Sequence, residues 1–308
     1  MPRISDMLVK AIVYLYPTIE DAENSQSKGA TGFIVNMAFE RKFGDAIYQH
    51  AYLVTNRHVV DADIKVVRLN RFDGGTDSYL IPDGSWFFHP DGDDIAITNF
   101  RFDRRVYDHL HLLDTMFITK DFIQEQDIGI GDDVFTIGRF KFHEGRKRNL
   151  PSALFGNIAQ MPEEKILVRQ ATNYTALQEA FLAEMRSIGG YSGSPAFVYL
   201  APYTHRMTKE PRGLDNKFYT RLLGIDSGHL PTEERIKDKD GKMMDGWRVE
   251  GNSAMAVVIP AWKLQELLDI DELKQQRSEY EEKAAQVLSE GGAISNVTVP
   301  DDNEPSSA

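Results

Sequence analysis

The sequence predicts an all-β fold followed by a helical extension, and three observations carry that expectation. Between residues 8 and 260, short runs rich in β-branched and aromatic residues alternate with Gly, Asp, Asn and Pro turns. From Ala261 onward the text changes to good helix formers with leucines at helical spacing. Apolar residues make up 42% of the 308 and charged residues 27%, the balance of a chain that folds around a core.

In chain order, the runs VKAIVYLYP, ATGFIVNMAF, AYLVTNRHVV, IKVVRL and DDIAITNF form a first group of predicted strands. The charged, helical-looking text of residues 101–131 interrupts them. DVFTIGRF, EKILVRQ, SPAFVYL, RLLGIDSG and SAMAVVIP then form a second group. So many short strands at close spacing suggest a sandwich or barrels, not a parallel α/β sheet. The expected parse is one β-domain over 1–115, a second over 116–260, a C-terminal helix over 261–288 and a disordered tail over 289–308. Leu264, Leu267, Leu268 and Leu273 predict that residues 261–275 pack on the second domain. Beyond Gln275 the charges predict a solvated helix, with service to a partner or a second copy of the chain as the alternative.

Forty-seven acidic against 35 basic residues give a net charge of −12, which repels a phosphate backbone and argues against nucleic acid as a partner. The basic cluster Arg146-Lys147-Arg148 reads as a solvated loop. There is no cysteine, which excludes disulfides, a thiol nucleophile and Cys-based zinc sites. The N-terminal run AIVYLY is too short for a signal peptide and no stretch has membrane-spanning length, so the expectation is a cytoplasmic protein with no membrane contact.

The run GYSGSP at 190–195 sets a serine between glycines and closes on proline. Such runs are common turns. Serine is a weak nucleophile at neutral pH, however, and as a catalyst it needs a nearby base and an anion to orient that base. His58 closes the run AYLVTNRHVV, and Asp94 stands directly before IAI in HPDGDDIAITNF. Each has an ordinary structural explanation alone; the trio in the order His, Asp, Ser, each in its own string, points to a catalytic triad.

These strings resemble those of the trypsin-like, chymotrypsin-fold serine peptidases, nearest to the bacterial DegP-like and glutamyl-endopeptidase branches. TGFIVN with YLVTNRHVV is similar to the family's first-domain strand and histidine motif, and DDIAI to its aspartate motif. GDDVFTIGRF, GYSGSP, LLGIDSGH and AMAVVIP follow in family order over about residues 8–265. The resemblance implies two six-stranded antiparallel β-barrels and a serine endopeptidase acting on protein or peptide, with no cofactor and no metal. It implies Ser192 as nucleophile, His58 as base, Asp94 as its orienter, and the Gly190 and Ser192 N–H groups as the oxyanion hole. Ser227 matches the serine that supports the triad carboxylate. The substrate pocket is expected around Arg186, Ser187, Ser227, Gly228 and His229; Arg186 or His229 would favour an acidic residue before the scissile bond, and an inward Asp226 a basic one.

The chain also departs from that pattern. No hydrophobic activation sequence stands near the N-terminus. Tyr191 occupies the place where digestive relatives carry the Asp that pairs with a freed N-terminus, and no DegP-like peptide-binding domain follows residue 265. A catalytically silent binding module on the same fold and an esterase-like hydrolase with the same triad are the competing readings. Other signals are weaker. DKDGK at 238–242 would need Ile236 and Trp247 as calcium ligands, IGIGDD lacks the third glycine of a dinucleotide loop, and His109 and His111 face apart if helical. The Asn173 and Asn296 sequons would go unused inside a cell.

Overall fold

The computed structural model describes residues 3–25, 28–44, 48–169, 175–186, 188–200, 220–237, 240, 242–291 and 294. Strand β1 (Ile12–Tyr16) is buried at every position, as an apolar run is when both faces of its sheet are covered. With it stand β2 (Ala30–Ala38), β3 (Gln49–Thr55), β4 (Val66–Asn70), β5 (Thr76–Leu80), β6 (Phe87–Phe88), β7 (Ala96–Asn99) and β8 (Leu112–Leu113). They form one sheet in the order β5-β4-β1-β2-β3-β7-β6. The short β8 lies parallel to β2, pairing Val35 with Leu112, beyond the stretch that β1 covers. Two of the eight strands are two residues long, too short to leave a periodic signal in sequence.

The second group is β9 (Asp133–Gly138), β10 (Ser152–Gln160), β11 (Ile166–Arg169), β12 (Thr175–Gln178), β13 (Phe181–Glu184), β14 (Ser194–Tyr199), β15 (Thr220–Lys237) and β16 (Met243–Pro260). Six of them close an antiparallel barrel, β10-β13-β16-β15-β14-β9, and β11-β12 is a separate hairpin. The fold is thus mostly β, with a closed six-stranded barrel in the second half as expected. One buried cluster runs through both units, including Ile12 and Phe33 from the first, Phe135 and Phe197 from the second, and Leu264 and Leu273 from the C-terminal helices.

Short helices α1 (Asp6–Lys10), α2 (Ile19–Asn24), α3 (Arg57–Asp61) and α4 (Lys120–Gln126) fill connections, and α5 (Ala261–Leu268) and α6 (Asp271–Ser289) close the described chain. Helix α5 buries Leu264, Leu267 and Leu268 completely and sets Trp262 edge-on to Phe181 at 5.6 Å. Past Gln275 the expectation of a solvated helix fails: Arg277, Tyr280, Glu281 and Ala284 are buried. The docking sets polar contacts around a small apolar cluster of Tyr280 and Ala284 against Phe39 and Phe43, too few apolar positions for periodicity to reveal it. Glu281 accepts the Glu40 and Arg41 N–H groups at 3.1 and 2.9 Å and meets His50 Nε2 at 2.9 Å. Arg277 donates to Tyr52 Oη at 3.2 Å and Leu268 O at 2.8 Å, and Arg101 donates to Tyr280 Oη at 2.8 Å. Helix α6 therefore ties the first unit to the helix packed on the second. Most of the 289–308 stretch expected to be disordered lies outside the described residues, and among those described no helix is long and apolar enough to cross a membrane.

Candidate active site

Strand β3 ends at Thr55, and Asn56 begins the one-turn helix α3. Val59 and Val60 bury, which fixes the helix and leaves His58 on its other side with 12% of its side chain exposed. Asp94 precedes β7 and is fully buried. A buried carboxylate needs donors on its oxygens. Asp94 Oδ1 accepts the His58 N–H at 2.9 Å, while Oδ2 accepts His58 Nδ1–H at 2.7 Å and the Ser227 hydroxyl at 2.5 Å. This pattern assigns the proton to Nδ1 and leaves Nε2 with its lone pair. The Asp94 backbone is held from both ends as well: Asn56 Nδ2 donates to its carbonyl at 2.9 Å, and its N–H donates to Gln178 Oε1 at 3.1 Å.

The GYSGSP loop leads into β14. Gly190 and Gly193 have φ of +104° and +83°, a region costly to any residue with a Cβ. Space adds to the demand, because a Cβ would stand 2.6 Å from Arg139 O at Gly190 and 2.1 Å from Thr31 O at Gly193. The Ser194 N–H donates to Tyr191 O at 2.8 Å, the Gly193 N–H to Asp226 O at 2.9 Å, and the Thr31 N–H to Ser192 O at 2.9 Å. Tyr191 is fully buried below the loop, its hydroxyl 2.9 Å from Ser152 Oγ. The loop thus runs between Thr31 of the first unit and Asp226 of the second, and Asp226 adjoins the serine that bonds Asp94. Among the described residues the Gly190 and Ser192 N–H groups have no acceptor, and the Ser192 hydroxyl makes no hydrogen bond.

The electrostatics favour a basic imidazole. Burial opposes protonation of His58 and is the largest single influence, but the Asp94 charge and hydrogen bond, with Asp226 behind them, outweigh it and raise the pKa above the ordinary 6.5. His109 behaves differently. Its Nδ1 meets Lys10 O at 2.9 Å and its Nε2 accepts the Asn70 N–H at 2.8 Å, so it is a neutral structural group, held there to about pH 4 by burial. His111, its pKa also lowered to about 4 by burial, stacks on Phe102 with centroids 5.0 Å apart, so the two histidines do not act as a pair.

Of the residues expected around the substrate pocket, Ser187 lies outside the described residues and Arg186 is exposed. Gly228, at φ +119°, donates its N–H to Asp226 Oδ1 at 2.8 Å, and His229 pairs with Ala256 in the β15-β16 ladder. Sequence reasoning missed Thr31, Thr55, Asn56 and Gln178. Thr31 and Thr55 stand in strands that the motifs did identify; Gln178 comes from the separate hairpin, and nothing in its local sequence marks it.

No family model matches the chain, and no curated protein does. Among solved structures it is similar to the active form of the Rv3671c protease from M. tuberculosis, at 16% identity and a TM-score of 0.44 over 85% of this chain and 80% of that one. The inactive form of the same protease, also at 16% identity, gives a TM-score of 0.41 over 85% and 88%. Likeness at this level leaves the chemistry to be argued from this chain's own residues.

Proposed function

We propose that the chain is a serine endopeptidase that works through an acyl-enzyme intermediate. The observation that carries this reading is the buried Asp94 carboxylate, which accepts His58 Nδ1–H at 2.7 Å and Ser227 Oγ–H at 2.5 Å. That arrangement holds the imidazole in the tautomer a general base needs. Ser192 Oγ attacks the scissile carbonyl while His58 Nε2 takes its proton, and the tetrahedral oxyanion receives the Gly190 and Ser192 N–H groups. His58 then returns the proton to the departing amine. Water repeats the sequence on the acyl-serine, again with His58 as base.

The direct test is labelling with an active-site phosphonate. One phosphonyl group should be found by mass spectrometry on the peptide containing Ser192, and an unfolded protein should be cleaved at internal bonds. Absence of both from a folded sample overturns the proposal, and labelling with turnover of small esters only would favour an esterase.

Only the neutral imidazole can accept the Ser192 proton, so kcat/KM should rise with pH through the His58 pKa. Because that pKa is raised, the acid limb is expected above pH 6.5, with activity falling about tenfold per unit below it. A pH–rate profile on a peptide substrate checks this. A limb centred well below 6.5 would show that Asp94 does not control His58.

A further inference from the structure

Thr31 is fully buried at the start of β2, and it touches the nucleophile loop twice. Its N–H donates to Ser192 O at 2.9 Å, and its hydroxyl donates to Gly190 O at 2.7 Å. The same hydroxyl accepts the Arg139 N–H at 2.9 Å, so both of its roles are in use. Thr31 is itself fixed, since Thr55, three residues before His58, donates its hydroxyl to Thr31 O at 2.9 Å.

We infer that Thr31 is a positioning residue that aims the two oxyanion donors; this rests on the peptidase reading above. The loop carries three carbonyls in succession. Gly190 O is held by the Thr31 hydroxyl, Tyr191 O by Ser194 N–H, and Ser192 O by Thr31 N–H. In a trans peptide the N–H points opposite its C=O, so the bond on Tyr191 O directs the Ser192 N–H away from that turn. Gly190 follows another glycine and lacks a Cβ, so sterics alone restrain its ψ weakly. The Thr31 hydroxyl on Gly190 O and the Tyr191 N–H bond to Ile188 O at 3.2 Å hold the two sides of the Gly190–Tyr191 peptide, the one plane that lies between the peptide carrying the Gly190 N–H and the peptide carrying the Ser192 N–H, so the hydroxyl helps set how the two donors stand relative to each other. Aim matters because such donors act at the position the oxyanion will occupy, and a donor turned away contributes nothing there.

A side chain of the first unit thus sets the backbone geometry of a loop in the second. Valine matches threonine in shape but has no hydroxyl, whereas serine keeps the hydroxyl and drops a methyl. Thr31→Val should therefore slow phosphonate labelling and kcat by about 10- to 100-fold, less than the 10²–10³ found on deleting a donor, with KM within about twofold. Thr31→Ser should restore the rate to within about threefold of wild type.

The measurement is kcat, KM and the labelling rate for the three proteins, each checked by thermal melting, since Thr31→Val also strips two buried backbone groups of a partner. A folded Thr31→Val with wild-type kcat overturns the inference. So does a Thr31→Ser as slow as Thr31→Val, which would make shape and not the hydroxyl the cause. If Thr31→Val does not fold, Thr31→Cys, of similar size and with a weak S–H donor, is held to the same comparison and should be slow. A wild-type chain that takes no phosphonate fails the peptidase reading instead, and is distinguished by that.

Discussion

Ser192→Ala is expected to lower kcat for peptide cleavage by about four to six orders of magnitude with the melting temperature unchanged. On the peptidase reading the size follows from how a triad works: without the Ser192 hydroxyl no acyl-enzyme can form, and only the binding and oxyanion contributions persist. The stability half follows from the structure. The Ser192 hydroxyl makes no hydrogen bond among the described residues, while the loop's carbonyls are held by Thr31 and Ser194, which the mutation leaves alone. Cleavage of an unfolded protein by wild type and mutant at equal rates would end the enzyme reading. A mutant that melts far below wild type would show that the hydroxyl has a structural role.

Truncation after Pro260 is expected to remove the stable fold. Leu264, Leu267, Leu268 and Leu273 are completely buried, and burying a leucine contributes about 1.5–3 kcal/mol. Four of them amount to roughly the whole stability of an ordinary domain, about 5–15 kcal/mol. The loss is compounded where α6 leaves the first unit, because His50 and the Glu40 and Arg41 N–H groups lose the Glu281 carboxylate. Truncation after Ser289 should leave melting and activity as they are. Urea unfolding of both truncations decides the matter; a 1–260 chain with the full-length midpoint would show that the helices only decorate the fold.

The β content and the two groups of strands were legible because β-branched runs and turn residues mark strands locally, whereas β5 and the nine-residue β10, poor in β-branched residues, left no such run. The two-residue strands β6 and β8 were not legible either, since they exist only through their partners β7 and β2. Of the residues proposed to act, His58, Asp94 and Ser192 each sit near a strand end in a string of their own. The residues that hold them are another matter. Gln178 reaches the Asp94 N–H across 84 positions, a product of tertiary folding with no local mark, whereas Ser227, which reaches the carboxylate across 133, was marked by its string LLGIDSGH. The docking of α6 was hidden for the same reason as Gln178: Glu281 and His50, 231 positions apart, satisfy each other where each alone looks like a solvent residue.

Tyr191 shapes how the site responds to its medium. The nucleophile loop is anchored from below by a neutral phenol hydrogen-bonded to Ser152, and burial raises the Tyr191 pKa above its ordinary 10. A charged anchor would weaken as its partner titrated, and if it reached solvent it would weaken further as salt screened the pair over a distance of about 8–10 Å. A buried hydroxyl pair has no net charge to screen and no proton to lose below pH 10. On the peptidase reading the acid limb of the activity profile therefore reports His58, and neither pH below 10 nor added salt acts on the Tyr191–Ser152 anchor of the loop.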